Sequence, residues 1–167
     1  MSRILLIFLA ITLVCSVREA NTQQTVDEIC KQTIDIKFCN GILAKATSPS
    51  VNDLLNVTVT EAHKILDDSY FFISSLLLHS GNQRPFVEKC ADGYAIMNSL
   101  FTNSVSLFNS GQYAEITSRL SGISSADEEC KTDFNVPGYN INPMTEKNRE
   151  TNVLLALEKI LGHMVSS

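Results

Sequence analysis

The chain has 167 residues, of which 44% are hydrophobic and 19% charged, and its formal net charge is −5 at pH 7. This length suggests a single domain. The acidic balance argues against nucleic acid or an anionic membrane as the main partner.

The first 20 residues have the pattern of a secretory signal peptide. Arg3 gives a positive start, and small residues near Ser16 or Ala20 offer cleavage sites. The apolar run between them, residues 4–14, is shorter than the about twenty residues that a membrane-spanning helix needs. We therefore expect residues 1–20 to be removed on export and residues 21–165 to form a soluble, secreted domain.

The spacing of apolar residues in the rest of the chain is helical almost everywhere. Residues 22–47 predict one or two short helices, and strand-like alternation is nearly absent. Either Ser50 with Asp53 or Thr58 with Glu61 can cap the first long helix. Four longer helices are predicted, from Ser50 to His79, from Pro85 to Gly111, from Tyr113 to Ile123, and from a Thr145 cap through Met164. The fold class is therefore all-α, an up-down-up-down four-helix bundle preceded by a short N-terminal helical hairpin.

Three consecutive aromatic residues, Tyr70-Phe71-Phe72, fall within the first long helix. Successive helical residues point about 100° apart, so the three side chains cannot all face one core stripe. The stripe through Leu66 and Ile73 accommodates Tyr70 best. We expect Phe71 or Phe72 to pack under the N-terminal hairpin or to meet a partner.

Four cysteines remain once the leader, which contains Cys15, is removed. An even number in an exported chain predicts two disulfides. Zinc would need four clustered ligands, but the histidines are scattered. No Cys-x-x-Cys pair beside a βαβ unit suggests redox chemistry. The cysteines are therefore interpreted as structural, with no metal and no cofactor: Cys30, Cys39, Cys90 and Cys130.

The sequence alone allows three pairings of these cysteines. Cys30 and Cys39 are well placed to close a small helix-turn-helix hairpin. Antiparallel packing returns the chain after the third bundle helix to the start of the second, which brings Cys130 near Cys90. The sequential pairing, Cys30–Cys39 and Cys90–Cys130, is therefore favoured.

No catalytic constellation can be assembled from the sequence. There is no Gly-x-Ser-x-Gly elbow, and the neighbouring carboxylates of residues 127–129 are more typical of a solvated turn than of an acid/base pair. We expect the chain not to be an enzyme.

Asn56-Val57-Thr58 is an N-glycosylation sequon. Asn56 is thus a candidate modification site, although a sequon inside a regular helix is often skipped.

The order of these features resembles the plant invertase/pectin methylesterase inhibitor family. A leader precedes the close cysteine pair in "CKQTIDIKFC", and a long amphipathic helix leads to "KCADGYAIMNSL", with a tyrosine four residues after the cysteine. "NSGQYAEITSRLSGISSADEECKTDF" is similar to the family's third bundle helix and fourth-cysteine motif. "NPMTEKNRETNVLLALEKIL" is similar to its closing helix.

The resemblance implies sequential disulfides, no catalysis, and inhibition of a secreted carbohydrate-active enzyme through a 1:1 complex in the apoplast, or in the vacuole. One branch of the family binds pectin methylesterase beside its substrate cleft. The other binds acid invertase and reaches the active site with a Pro-Lys-Phe element. The corresponding place here is Gly111-Gln112-Tyr113, which makes Gln112 and Tyr113 candidate partner contacts.

This departure from the Pro-Lys-Phe element favours pectin methylesterase as the target. A lysine could pair with an acidic cleft, whereas Gln112 cannot supply that charge. Against this, "NPMTEKNRE" is similar to pollen-type members described as invertase inhibitors, so acid invertase remains the alternative. A helical carrier of an apolar ligand is a remote alternative. Several large core side chains argue against it because they predict a filled interior: Phe101, Phe108, Leu120 and Leu157.

Overall fold

The fold is given by a computed structural model that describes residues 25–123, 128, 130 and 142–166. The predicted leader and most of residues 124–141 lie outside these residues. Within them, residues 25–30, 128 and 130 are helical, and no residue is in a strand. The longer α-helices are α1 (Ile36–Leu43), α2 (Val51–Leu77), α3 (Arg84–Asn109), α4 (Tyr113–Leu120) and α5 (Thr145–Ser166), with a 3-10 turn at Gly81–Gln83. The predicted all-α class is confirmed.

The helices α2 to α5 form the predicted up-down-up-down bundle. α2 packs against α3 and α5, and α4 packs against the same two helices, so α2 and α4 lie at opposite corners, as do α3 and α5. Short connections, residues 78–83 and 110–112, make the successive helices α2, α3 and α4 antiparallel. The hairpin that contains α1 packs on α2 and α5.

The start of α2 follows from its sequence. The Ser50 hydroxyl accepts a hydrogen bond from the Asp53 N–H at 3.1 Å, which confirms the first of the two predicted caps. Thr58 lies inside the helix, where its buried hydroxyl donates to the Leu54 carbonyl at 2.8 Å. The chain leaves α2 at Leu78 and turns at Gly81, whose φ of +50° suits glycine.

The start of α5 differs from the expectation that Thr145 caps it. Thr145 is the first helical residue, and its hydroxyl donates to the Asn142 carbonyl at 2.8 Å. The Asn142 side chain instead accepts from the Met144 N–H at 2.8 Å. The prediction that Thr145 is the cap is therefore wrong. The side chain of Asn142 instead accepts a hydrogen bond from a backbone N–H just before the helix.

The centre of the bundle is filled by large apolar side chains. Tyr70 is half-buried and packs on this core, as predicted, but Phe71 is 65% exposed and Phe72 is 38% exposed. The prediction offered packing under the hairpin or contact with a partner, and the exposure of Phe71 leaves its ring available for a partner. The largest buried side chains are Tyr94, Phe101, Leu54, Leu55, Leu66, Ile73, Met97, Ile116, Leu120, Ile123 and Met144.

Two disulfides tie the segments next to the bundle helices into the fold. Cys30–Cys39 ties the helical residues 25–30 to α1, with Cα atoms 5.5 Å apart. Cys90–Cys130 ties α3 to the segment that follows α4, with Cα atoms 4.3 Å apart. All four cysteines are fully buried. The predicted sequential pairing is confirmed.

Arg149 anchors the hairpin to the bundle. It lies on α5 and forms ion pairs with Asp35, at the start of α1, and with Glu146. Its guanidinium also stands 5.7 Å from the centre of the Phe38 ring, within the range of a cation–π contact. Asp35 caps α1 at the same time, because it accepts from the Phe38 N–H at 2.9 Å. One arginine thereby fixes the orientation of α1 on α5.

A buried hydrogen bond crosses the bundle between the diagonal helices α3 and α5. The Tyr94 hydroxyl donates to Asn148 Oδ1 at 2.8 Å and lies 3.5 Å from the Thr151 hydroxyl. All three residues are buried. The Tyr94–Asn148 hydrogen bond at this depth is expected to fix the register of α5 against α3. Within the described residues, the buried Nδ2 of Asn148 has no hydrogen-bond partner.

We expect Tyr94→Phe to lower the free energy of unfolding by about 1–3 kcal/mol, because it leaves a buried amide oxygen without its donor while the ring packing is kept. Urea unfolding measures the change. Tyr70→Phe, at a half-buried tyrosine of α2, is the matched control and is expected to stay within about 0.5 kcal/mol of the wild type. Equal losses in the two variants would contradict the importance of the cross-bundle contact.

Candidate functional site

The candidate contact residues lie at the turn between α3 and α4. The Gln112 N–H donates to the Leu107 carbonyl at 2.9 Å, and the Gly111 N–H donates to the Phe108 carbonyl at 3.0 Å. These two bonds, with Gly111 at φ +71°, form a Schellman ending of α3. Gln112 is exposed at the tip of this turn. Its backbone is therefore held rigidly while its side chain is free to meet a partner.

Tyr113 is the first residue of α4 and is half-buried. Its ring packs on Phe108 at the end of α3, with ring centres 5.6 Å apart and planes tilted by 57°. Gly162 of α5 lies so close to α4 that a Cβ at this position would be 2.7 Å from the Thr117 hydroxyl. This close packing of α5 holds α4 in place. The Tyr113 ring is thus positioned by Phe108 of α3, and its helix is held by α5.

A shallow surface pocket of about 380 Å³ surrounds these residues. Among the described residues that line it, the charged side chain is the acidic Glu115, which pairs with Arg119 one turn further along α4 at 3.1 Å. A lysine would have given this turn a positive tip. Gln112 leaves it neutral, next to a carboxylate.

A second exposed surface lies near the end of α2, where the sequence predicts that Phe71 or Phe72 packs under the hairpin or meets a partner. The exposure of Leu78 is the part that the sequence did not indicate. Phe71 is 65% exposed and Leu78 is 81% exposed. They are seven residues apart near the end of α2 and lie on the same side of that helix. The sequence contained the signal, because three consecutive aromatics cannot all be buried. Exposed aromatic and aliphatic side chains are typical anchors of protein interfaces.

Glu158 is the described carboxyl group that departs most from an ordinary environment. It is fully buried on α5, and burial raises the pKa of its carboxyl to about 8, while the nearby Ser104 hydroxyl acts in the opposite direction. Within the described residues, neither carboxyl oxygen has a hydrogen-bond partner in good geometry. Because the group is closed off from solvent, it cannot meet a substrate, and its effect is on stability.

Two further features bear on the class of site. In the part of the chain that the structure describes, no three histidine, cysteine or acidic side chains are grouped so that they could hold a metal ion. Across the same residues, no helix has both the length and the apolar character needed to cross a membrane.

The chain was also compared with known proteins. No curated protein matches it at a significant level. The model of the plant invertase/pectin methylesterase inhibitor family matches residues 24–166, which include both disulfides and all of α1 to α5. Proteins of this family are inhibitors of pectin methylesterase or invertase rather than enzymes, and they are generally extracellular. The family match covers most of the sequence, and the chain therefore belongs to the plant invertase/pectin methylesterase inhibitor family.

Proposed function

We propose that the chain inhibits pectin methylesterase by forming a 1:1 complex that covers the approach to the substrate cleft. The observation that carries this choice of target is the turn at Gly111-Gln112-Tyr113. It presents a neutral tip beside Glu115 and lacks the cation that would enter an acidic glycosidase cleft. Acid invertase is the second candidate, favoured by the likeness of the segment at residues 142–150 to pollen-type invertase inhibitors.

The rigidity of the bundle supports inhibition by docking. Both disulfides are buried, and the Schellman turn and the Phe108 packing hold Gln112 and Tyr113 in place. A surface that is ordered before binding loses little conformational entropy in the complex, so more of the contact energy appears as affinity. The acidic surface would also repel another acidic protein less at the low pH of the plant cell wall.

The buried core supports a docking role over the carrier alternative. Phe101, Leu120 and Leu157 are fully buried, and Phe108 is half-buried against Tyr113. These side chains occupy the centre of the bundle, where a carrier would bind its apolar ligand. We infer that the outer surface, rather than the interior, carries the function.

Parallel inhibition assays on a purified pectin methylesterase and a purified acid invertase test the target. We expect loss of pectin methylesterase activity and full retention of invertase activity. Tyr113→Ala is expected to weaken inhibition at least about tenfold, because it removes an aromatic anchor, whereas Tyr113→Phe keeps the ring and is expected to stay within about threefold.

A matched variant separates the two exposed surfaces. Phe71→Ser removes the exposed aromatic of α2 and leaves the α3–α4 turn intact. A large effect of Phe71→Ser with no effect of Tyr113→Ala would place the contact on α2 and contradict the role of the turn. Inhibition of invertase alone would assign the chain to the other branch of the family.

A further inference from the structure

The sequon Asn56-Val57-Thr58 occurs once in the chain and falls near the start of α2. Asn56 is exposed. It borders an open surface pocket of about 200 Å³ whose other walls are formed by the end of the hairpin and by the first turns of α2. A glycan attached to this asparagine would therefore meet open space rather than the packed core.

Thr58, the third residue of the sequon, is fully buried, and its hydroxyl donates to the Leu54 carbonyl. An N-glycosylation acceptor needs that hydroxyl free beside the asparagine, so the folded helix is a poor substrate. Most of the stability of a helix in a protein comes from the packing of its apolar face, and α2 packs on α3 and α5, which are both synthesised after it. The sequon consequently stays accessible while the chain is being made.

We propose that Asn56 is N-glycosylated during export, before α2 is packed into the bundle. The finished glycan then stands at the edge between α1 and α2. Antiparallel packing places the start of α2 and the α3–α4 turn at the same end of the bundle, but α2 and α4 occupy opposite corners, so the glycan is attached across the bundle from Gln112 and Tyr113. We expect the glycan to shield the side of the molecule formed by α1 and α2 and to leave the α4 side for the target enzyme, an expectation that rests on the proposed function.

The test is to express the full chain, residues 1–167, in plant cells and to recover it from the medium. Mass spectrometry is run before and after treatment with a peptide N-glycosidase. We expect a mass excess that the enzyme removes, and an aspartate at position 56 in the treated peptide. Unmodified Asn56 in most of the secreted molecules would overturn the proposal.

Two variants of Thr58 form the matched controls. Thr58→Ser retains the sequon, and we expect it to keep the glycan. Thr58→Val destroys the sequon with almost the same buried volume, and we expect its product to be secreted without the mass excess, as for Asn56→Gln. A glycan that persists in Thr58→Val and Asn56→Gln would show that another residue is modified and would contradict the assignment.

The effect of the glycan on binding to the target enzyme is measured separately, by inhibition assays. Asn56→Gln is expected to inhibit pectin methylesterase within about twofold of the glycosylated chain, because Asn56 lies on the corner of the bundle opposite α4. A gain of about tenfold or more on loss of the glycan would show that it covers the contact surface. Failure of both proteins to inhibit would count against the proposed function and leave the result at Asn56 unchanged.

Discussion

Replacing Cys90 and Cys130 together by alanine is expected to lower the free energy of unfolding by about 4 kcal/mol. The bond closes a loop with a sequence separation of 40 and ties α3 to the segment after α4. Without it, the unfolded chain gains the freedom that the closed loop had removed. For a domain of this size, the loss corresponds to a fall in melting temperature of about 8–16 °C.

The second disulfide supplies a matched control for this prediction. Cys30–Cys39 closes a shorter loop, with a sequence separation of 9, and its removal is expected to cost about 2.5 kcal/mol. All four cysteines are fully buried, so the small cavities left by alanine are similar in the two variants. Calorimetry of the two double variants measures how much more stability the longer disulfide loop contributes than the shorter one. A larger loss for the shorter loop would contradict the assigned role of Cys90–Cys130.

The stability of the fold is expected to decrease as the pH rises from about 5 to about 8, because of Glu158. Its folded pKa is raised from 4.5 to about 8 by burial. Below the pKa of the carboxyl in the unfolded chain, the folded and unfolded states both hold the proton, and Glu158 does not lower the stability of the fold. Between the two pKa values only the folded state keeps the proton, so each step up in pH favours unfolding, by about 3–4 kcal/mol in total over this interval.

Glu158→Gln is the variant that isolates this effect. The amide has nearly the shape of the protonated carboxyl group and does not titrate. We expect it to remove the slope between about pH 5 and about pH 8, so that the variant becomes more stable than the wild type at the upper end. Urea unfolding at several pH values measures this. A slope unchanged in Glu158→Gln would show that other groups cause the pH dependence.

The sequence predicted the helices well because their apolar spacing and their capping residues are local signals. Ser50, Pro85 and Gly111 mark the ends of α2 and α3 to within one or two residues. α4 was the weakest prediction, since it ends at Leu120 rather than Ile123. There Ser121, Gly122 and Ile123 form a turn instead of a last helical turn.

What the sequence predicted less well depends on contacts between helices. Glu158 lies on the buried side of α5 with Leu154 and Leu161, a spacing visible in the sequence, but its full burial requires α5 to be packed on its neighbours. The positions of Gln112 and Tyr113 at one end of the bundle were predictable. Which enzyme fits them depends on the shape and charge of a partner surface that this sequence does not encode.

The most direct test of inhibition by docking is a titration of pectin methylesterase with the disulfide-bonded chain at the acidic pH of the cell wall. We expect activity to fall linearly and to end at about one equivalent, with a 1:1 complex on gel filtration. The same fall should appear at once after mixing and should not grow with time. No loss of activity in either pectin methylesterase or acid invertase, or a progressive loss at far below one equivalent, would contradict a stoichiometric inhibitor that acts by binding.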